Sequence, residues 1–197
     1  MTITTLRELD GTALRLSPGI RRAAQFEGHA FILKPGDVVN KKRPARPHPM
    51  APSDGPTARL GDLAINLDYK PGCAMVIDEG LVGVQPTKGI VLASISSTPQ
   101  LDAGYLRGWI LAGELERQLL PRHRGSTMSY VKLEDLLETA IPIPSLSLQR
   151  ELAERFVAAE NELLIATRYA EEAREMLELE SMYLVVKATD AAQSAGH

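Results

Sequence analysis

The sequence predicts an α/β (α+β) globular domain with a mixed sheet, followed by a long C-terminal coiled-coil helix. Short runs rich in β-branched residues lie between Gly and Pro turn signals in residues 1–100, which is typical of strands. Beyond residue 148, apolar residues recur at alternating intervals of four and three. This is the heptad spacing of a helix that packs along its length against another helix.

The composition fits one globular domain with an appended helix. Apolar residues make up 44% of the 197 residues, which is enough for a core. The single cysteine, Cys73, excludes an intrachain disulfide, and the sequence shows neither a signal peptide nor an apolar run of membrane length. The sequence therefore predicts a cytoplasmic protein that does not associate with a membrane.

The net charge of −3 is unevenly distributed along the chain. Residues 1–130 hold 16 Lys and Arg against 12 Asp and Glu, giving +4, and residues 131–197 hold 6 against 13, giving −7. A basic globular part that faces phosphate and an acidic helix that faces protein would produce this distribution. An ordinary solvated helix surface would produce it equally well.

The N-terminal half is predicted to consist of short elements joined by tight turns. A helix is predicted over 4–9, and Pro35-Gly36 and Gly61-Asp62 are predicted turns that lead into strands. The predicted strands cover 13–16, the two sides of the Pro35-Gly36 turn, 63–67, 75–77, 81–84 and 90–94.

Residues 40–59 contain five prolines and cannot form a regular element. Four basic residues lie near the start of this segment: Lys41, Lys42, Arg43 and Arg46. A loop of this composition suits contact with a DNA backbone or groove. It is also the composition of an ordinary solvated linker, and both interpretations stand at this point.

A helix is predicted over 102–120, with Asp102 as its N-cap and Trp109 as a core residue on its apolar face. The loop after this helix combines positive charge with small hydroxyl side chains. Its candidate DNA-binding residues are Arg122, His123, Arg124, Ser126 and Thr127. Arginine in such a loop can contact phosphates and reach base edges.

The next segment predicts a short helix over 131–137, an extended strap at 141–144 and a long helix with Ser147 as its N-cap. About 40 helical residues would span roughly 60 Å, well beyond the typical globular helix of about 8–20 residues. The apolar seam of this helix comprises Leu152, Phe156, Ala159, Leu163, Ala166, Ala170, Ala173, Leu177 and Leu184. The seam favours pairing with another helix, and an amphipathic helix folded back on its own domain is the alternative.

Several unlike motifs follow one another in residues 125–149: a Gly-Ser-Thr loop, the Val-Lys-Leu-Glu-Asp-Leu helix, the Ile-Pro-Ile-Pro strap and Gln149. In this order and spacing they resemble the specificity subunit of type I restriction-modification systems. The resemblance covers mainly residues 101–184 and includes the Tyr105-Leu106 pair. A Gly-Asp turn that enters a strand is also typical of that family, and both Gly36-Asp37 and Gly61-Asp62 resemble it.

The resemblance implies a DNA target-recognition domain over 1–144, a spacer and dimerisation helix over 145–190 and a flexible tail over 191–197. It implies a non-catalytic chain without a cofactor or metal of its own. The expected partners are double-stranded DNA, an adenine methyltransferase subunit that uses S-adenosylmethionine, and a restriction subunit with motor and nuclease activity. The family subunit usually carries two recognition domains, and this chain has room for one. A homodimer that reads a bipartite palindromic site is therefore expected, and pairing of this chain with a different half subunit is the alternative.

Two other functions are compatible with the residues. Asp54 with Asp68 and Lys70 could form the metal site of a nuclease, although this short pattern is common by chance. A coiled-coil adaptor or inhibitor of a restriction-modification system, without sequence reading of its own, would fit the mild charge of the globular part. The sequence lacks the Gly-rich loop of an ATPase and the Asn-Pro-Pro-aromatic motif of a base-amino methyltransferase.

Overall fold

The computed structural model describes residues 2–19, 29–41, 48–49, 55–122, 124 and 130–194, with side chains described except at 29–30, 48–49, 186 and 188–194. The strands are β1 (Thr2–Thr5), β2 (Leu14–Pro18), β3 (His29–Ala30), β4 (Ile32–Leu33), β5 (His48–Pro49), β6 (Leu63–Asn66), β7 (Ala74–Val76), β8 (Gln85–Pro86), β9 (Ile90–Ile95) and β10 (Ala140–Ile143). The helices are α1 (Leu6–Leu9), α2 (Pro35–Asn40), α3 (Ala103–Leu111), α4 (Glu114–Leu119), α5 (Leu133–Leu137) and α6 (Leu146–Ser194).

The chain divides into two compact units, Met1–Glu154 and Arg155–His197. The first unit contains all the strands named above, and the second contains the greater part of α6. The α/β fold class with a long C-terminal helix is confirmed. No described helix is long and apolar enough to cross a membrane.

A four-stranded antiparallel sheet in the order β2-β9-β6-β7 forms the centre of the first unit. Its two inner strands are apolar on both faces, because successive side chains of a strand point to opposite sides. Val91 and Ala93 of β9 enter one hydrophobic cluster, and Ile90 and Leu92 enter the other. The sheet is therefore covered on both faces.

Helices α3 and α4 supply one of these covers. Leu106 and Trp109 of α3 and Leu115 of α4 are buried in the cluster that contains Val91 and Ala93. The prediction that Trp109 is a core residue is confirmed. The other cluster contains Val38 of α2, together with Leu33, Leu81 and Val84 from the segments around it.

The prediction of a Pro35-Gly36 turn between two strands was wrong. Pro35 is the first residue of α2, where its missing N–H costs no hydrogen bond. The Asp37 carboxylate accepts a hydrogen bond from the Lys34 N–H at 2.8 Å, which stabilises the start of the helix. The strand before it, β4, instead pairs in parallel with β8.

Two further predictions differ from the structure because a glycine adopts a positive φ. The predicted strand at 81–84 is instead the end of a 3₁₀ turn followed by Gly83 with φ +85°. The predicted helix over 102–120 is two helices, α3 and α4, separated at Gly113 with φ +86°. Asp102 caps α3 as predicted, since its Oδ1 accepts a hydrogen bond from the Tyr105 N–H at 3.1 Å.

The Ile-Pro-Ile-Pro strap forms strand β10, which pairs antiparallel with β1. The predicted helix over 4–9 is correspondingly shorter, because Thr4 and Thr5 belong to β1. The prediction of Ser147 as the N-cap was wrong. Helix α6 begins at Leu146, and the Ser145 carbonyl accepts a hydrogen bond from the Gln149 N–H at 3.0 Å.

Candidate nucleic-acid interface

The Gly61-Asp62 pair is the Gly-Asp turn that enters a sheet strand. Gly61 has φ +84°, which favours glycine, and β6 begins directly after Asp62. The buried Asp62 carboxylate accepts hydrogen bonds from the Arg59 N–H at 2.9 Å and the Ser94 hydroxyl at 2.6 Å. Gly36 and Asp37, by contrast, lie inside α2.

Two of the predicted DNA-binding arginines contact helix α5. Arg122 Nη1 donates to the Asp135 carbonyl at 2.9 Å, and Arg124 Nη2 lies 3.3 Å from Asp135 Oδ1. The Arg124 side chain is 50% exposed and the Asp135 side chain is 18% exposed. Solvent therefore reaches this ion pair mainly on the arginine side.

The loop between Arg124 and Tyr130 is closed at its base. The Arg124 N–H donates to the Tyr130 carbonyl and the Tyr130 N–H donates to the Arg124 carbonyl, both at 3.0 Å. Val131 continues from this bridge, and its N–H donates to the Leu67 carbonyl at 2.7 Å. The base of the predicted Gly-Ser-Thr loop is thus fixed to the segment that follows β6.

Lys41 lies in a different part of the domain. It follows α2 in the left-handed conformation, with φ 50°, and its side chain is exposed. Burial and the nearby Glu116 raise the pKa of the Cys73 thiol, while Lys41 and Lys70 lower it, which places Lys41 near the turn before β7. The predicted residues outside the described part of the chain are Lys42, Arg43, Arg46, His123, Ser126 and Thr127.

The start of α6 is fixed to the domain by one buried side chain, Gln149. Its Oε1 accepts a hydrogen bond from the Asp102 N–H at 2.8 Å, and its Nε2 donates to the carbonyls of Gln100 and Pro144, both at 2.9 Å. All three partners are backbone groups, and they belong to one exposed residue, Gln100, and two half-buried ones, Asp102 and Pro144. Gln149 therefore couples the strap, the N-terminus of α3 and the first turn of α6.

Two further side chains, Tyr105 and Gln118, donate hydrogen bonds to the backbone of strand β10. The Tyr105 hydroxyl donates to the Pro142 carbonyl at 2.6 Å, and burial raises the pKa of this hydroxyl. Gln118 makes a reciprocal pair with the backbone of Ala140, at 2.8 and 3.2 Å. These contacts fix β10 to α3 and α4 as well as to β1.

The predicted seam residues differ in exposure along α6. Leu152 packs against the core of the first unit and Phe156 is half-buried. The exposed members are Ala159, Leu163, Ala166, Ala170, Ala173, Leu177 and Leu184. Leu163, Leu177 and Leu184 are 61%, 69% and 60% exposed, so an apolar stripe on the second unit has no cover within the described chain.

Sequence reasoning did not identify Asn66 as a structural residue. Asn66 is buried, its Nδ2 donates to the Lys70 carbonyl at 3.0 Å, and its Oδ1 accepts from the Asp68 N–H at 3.2 Å. A lone amide at the end of an apolar strand, just before a turn, is the pattern that could have predicted this role.

The structure bears only partly on the metal-dependent nuclease interpretation. Asp54 lies outside the described residues. Asp68 lies against Gly89, and the nearby charge that acts on its pKa is Lys88. Within the part of the chain that the structure describes, no group of three or more His, Cys, Asp or Glu side chains could hold a metal ion.

The chain is similar in structure to subunits of type I restriction-modification systems. A chain from a type I system, solved to explain complex assembly and conformational transition, matches 90% of this chain at 19% identity with a TM-score of 0.60. The HsdS subunit from Thermoanaerobacter tengcongensis matches 85% at 20% identity and a TM-score of 0.58. The type I S subunit from M. genitalium matches 82% at 13% identity and a TM-score of 0.56.

These similarities show that the chain has the fold of a type I specificity subunit. The chain spans about two fifths of the length of each of these proteins, with 42%, 39% and 39% of their chains covered. No protein-family model matches the sequence, and no curated protein matches it significantly.

Proposed function

We propose that this chain is the DNA-recognition subunit of a type I restriction-modification complex and does not itself catalyse a reaction. The observation that carries the proposal is the fold, since the three S-subunit structures above align with 82–90% of the chain. Fold alone does not determine function, so the proposal also draws on the sequence motifs in residues 101–184.

Recognition of DNA is assigned to the first unit. Arg122 and Arg124 would contact phosphates and base edges, with His123, Ser126 and Thr127 of the same loop. The second basic segment, from Lys41 to Arg46, would contact the backbone. The half-exposed guanidinium of Arg124 supports this role, because a phosphate can reach it from the solvent side.

Pairing of two copies is assigned to α6. The exposed apolar seam supports this, because monomeric proteins rarely leave such a continuous patch uncovered. Alanine at Ala159, Ala166, Ala170 and Ala173 would allow the two backbones to approach closely. The dimer would read two identical half-sites in inverted orientation, and the gap between them would be set by the length of the paired helices.

Catalysis is assigned to partner subunits in the cytoplasm. An adenine methyltransferase that uses S-adenosylmethionine would dock on α6, and a restriction subunit could join the complex. Exposed apolar residues outside the seam are available near the C-terminal end of the helix: Met176, Leu179, Met182, Tyr183 and Val185. Their exposure supports a second protein contact on this part of the chain.

The partner assignment predicts the composition of the native complex. Affinity-tagged chain isolated from its source cells should retain an adenine methyltransferase in a fixed molar ratio, as measured by mass spectrometry. A Met176→Glu, Leu179→Glu double variant should retain at most about a tenth as much, because it places charge in an apolar contact. Arg168→Gln, an exposed change on the same helix, serves as the control. Recovery of the chain without a methyltransferase would contradict the assignment and favour the adaptor hypothesis.

A further inference from the structure

A cavity of about 730 Å³ lies beside Tyr130 and Val131, at the Arg124–Tyr130 backbone bridge described above. Its lining includes Asp68, Tyr69, Lys88, Tyr130, Lys132 and Glu134. Tyr69 and Tyr130 are 48% and 44% exposed, and both lysines are exposed, so several functional groups are open to a ligand. Ligand sites typically have about 300–1,000 Å³. This cavity has the size of a nucleotide-binding site.

The backbone around Asp68 is firmly held. The Leu67 N–H donates to the Gly89 carbonyl and the Leu67 carbonyl accepts from the Val131 N–H, both at 2.7 Å. The buried Asn66 side chain then accepts from the Asp68 N–H and donates to the Lys70 carbonyl. Asp68 is therefore positioned by hydrogen bonds on both sides of it, before any ligand is present.

The Asp68 carboxylate packs directly against Gly89. Gly89 has φ +93°, and a Cβ atom on Gly89 would overlap Asp68 Oδ2. Within the described chain, no side-chain or backbone donor is hydrogen-bonded to this carboxylate. Burial raises the pKa of Asp68, and Lys88 lowers it. Asp68 is only half-buried, so water can hydrate its carboxylate, and a ligand with suitable donors can replace that water.

The chemistry of the cavity limits the ligand. An ionised carboxylate only accepts hydrogen bonds, so the ligand must present donors to Asp68. Lys88, whose charge acts on Asp68, disfavours a second cation such as a guanidinium group beside that carboxylate. The rest of the lining carries both Lys132 and Glu134, and either lysine offers a partner to an anionic group of the ligand. The tyrosine rings favour a planar group that can stack. A neutral, planar donor attached to a phosphate satisfies all three conditions.

Among the nucleobases, guanine meets these conditions best. Its Watson–Crick edge presents two adjacent donors, N1–H and the N2 amino group, which match the two oxygens of a carboxylate. Adenine and cytosine each present one amino donor beside a ring-nitrogen acceptor that would face a carboxylate oxygen unfavourably. We propose that this cavity binds a guanine base, with Asp68 as the specificity-determining residue and Lys88 or Lys132 near its phosphate.

The guanine could belong to a free nucleotide or to an extrahelical residue of DNA. An unstacked base read on its Watson–Crick edge between aromatic side chains is an established mode of DNA recognition. The DNA source rests on the proposed DNA-recognition function, whereas the free-nucleotide source does not. The two sources are separated by testing each as its own ligand.

The first experiment titrates the full-length chain with dGMP, dAMP and dCMP by calorimetry. The second measures binding of duplexes that carry one unpaired guanine or one unpaired adenine. Guanine should bind at least about tenfold more tightly than adenine in one of the two experiments, since adenine makes one fewer hydrogen bond to the charged acceptor. A preference among mononucleotides identifies a free nucleotide as the source, and a preference among duplexes identifies DNA.

The variant Asp68→Asn should lose the guanine preference at least about tenfold while its melting temperature rises, because a partly buried charge without a donor has been removed. A purely structural role for Asp68 would not produce this combination. Glu79→Gln is the matched control, because Glu79 is exposed and the substitution also removes one negative charge. It should alter neither the guanine preference nor the melting temperature. Equal binding of guanine and adenine by the wild-type chain in both experiments would overturn the proposal. The methyltransferase recovery described above would be unaffected, so the two proposals can fail separately.

Discussion

Ala170→Glu should raise the dissociation constant of the proposed α6-paired dimer at least about 100-fold. Ala170 is an exposed seam residue in the middle of the helix, and pairing would bury it against the partner. The substitution places an unpaired carboxylate in each copy of that contact. A cost of about 3 kcal/mol corresponds to about 100-fold in the dissociation constant. Sedimentation velocity over a range of concentrations measures the effect.

Asn161→Glu is the matched control for Ala170→Glu. It also introduces one glutamate at an exposed position of α6, but Asn161 lies on the side of the helix away from the seam. This control should dimerise like the wild-type chain. Dimerisation of Ala170→Glu at wild-type strength, with helix content unchanged by circular dichroism, would show that the seam is not the pairing surface.

Gln149→Leu should lower the free energy of unfolding of the globular unit by about 2 kcal/mol. The substitution removes all three hydrogen bonds of a buried side chain, to the Asp102 N–H and the carbonyls of Gln100 and Pro144. Each hydrogen bond contributes about 0.5–1.5 kcal/mol net, and water can reach the partner groups because their residues are exposed or half-buried. Urea denaturation followed by tryptophan fluorescence reports the loss, because Trp109 lies in the adjacent core.

Arg150→Leu provides the comparison for Gln149→Leu. Arg150 is the next residue of the helix and is exposed, so its substitution should change the free energy of unfolding by no more than about 0.5 kcal/mol. If Gln149→Leu were as mild as this control, Gln149 would not be the side chain that fixes the start of α6.

The features that were predictable from sequence depend on local patterns. The strands near 63–67, 75–77 and 90–94 were found because apolar, β-branched runs need a sheet to bury them. The long helix was found because its heptad spacing continues for many turns. Both patterns are repeated, so a single exception does not hide them: Glu180 occupies the seam position between Leu177 and Leu184, and the heptad spacing is still evident.

The features that were missed depend on single residues or on distant contacts. Pro35-Gly36 fits a turn as well as a helix start, and the capping bond from Asp37 decides between them. Gly113 ends α3 through its positive φ, although the apolar pattern continues into α4. The contact of Arg122 with Asp135 joins two segments whose proximity no local pattern indicates.

Asp68, which lines the cavity, is another residue whose surroundings local sequence patterns do not predict. In the sequence, Asp68 and Lys70 form a short pattern that indicates a possible metal site. The structure relates Asp68 to Gly89, Lys88 and Tyr130, which are distant in sequence. The chemistry of the site follows from that grouping, and sequence spacing alone does not contain it.

The most direct test of the central claim is selection of bound DNA from a library of randomised duplexes, using the complex purified through the tagged chain. The proposed function predicts enrichment of two identical short motifs in inverted orientation, separated by one fixed gap, with binding that weakens as salt rises. Enrichment of no sequence, with binding that does not respond to salt, would contradict the claim that this chain recognises DNA.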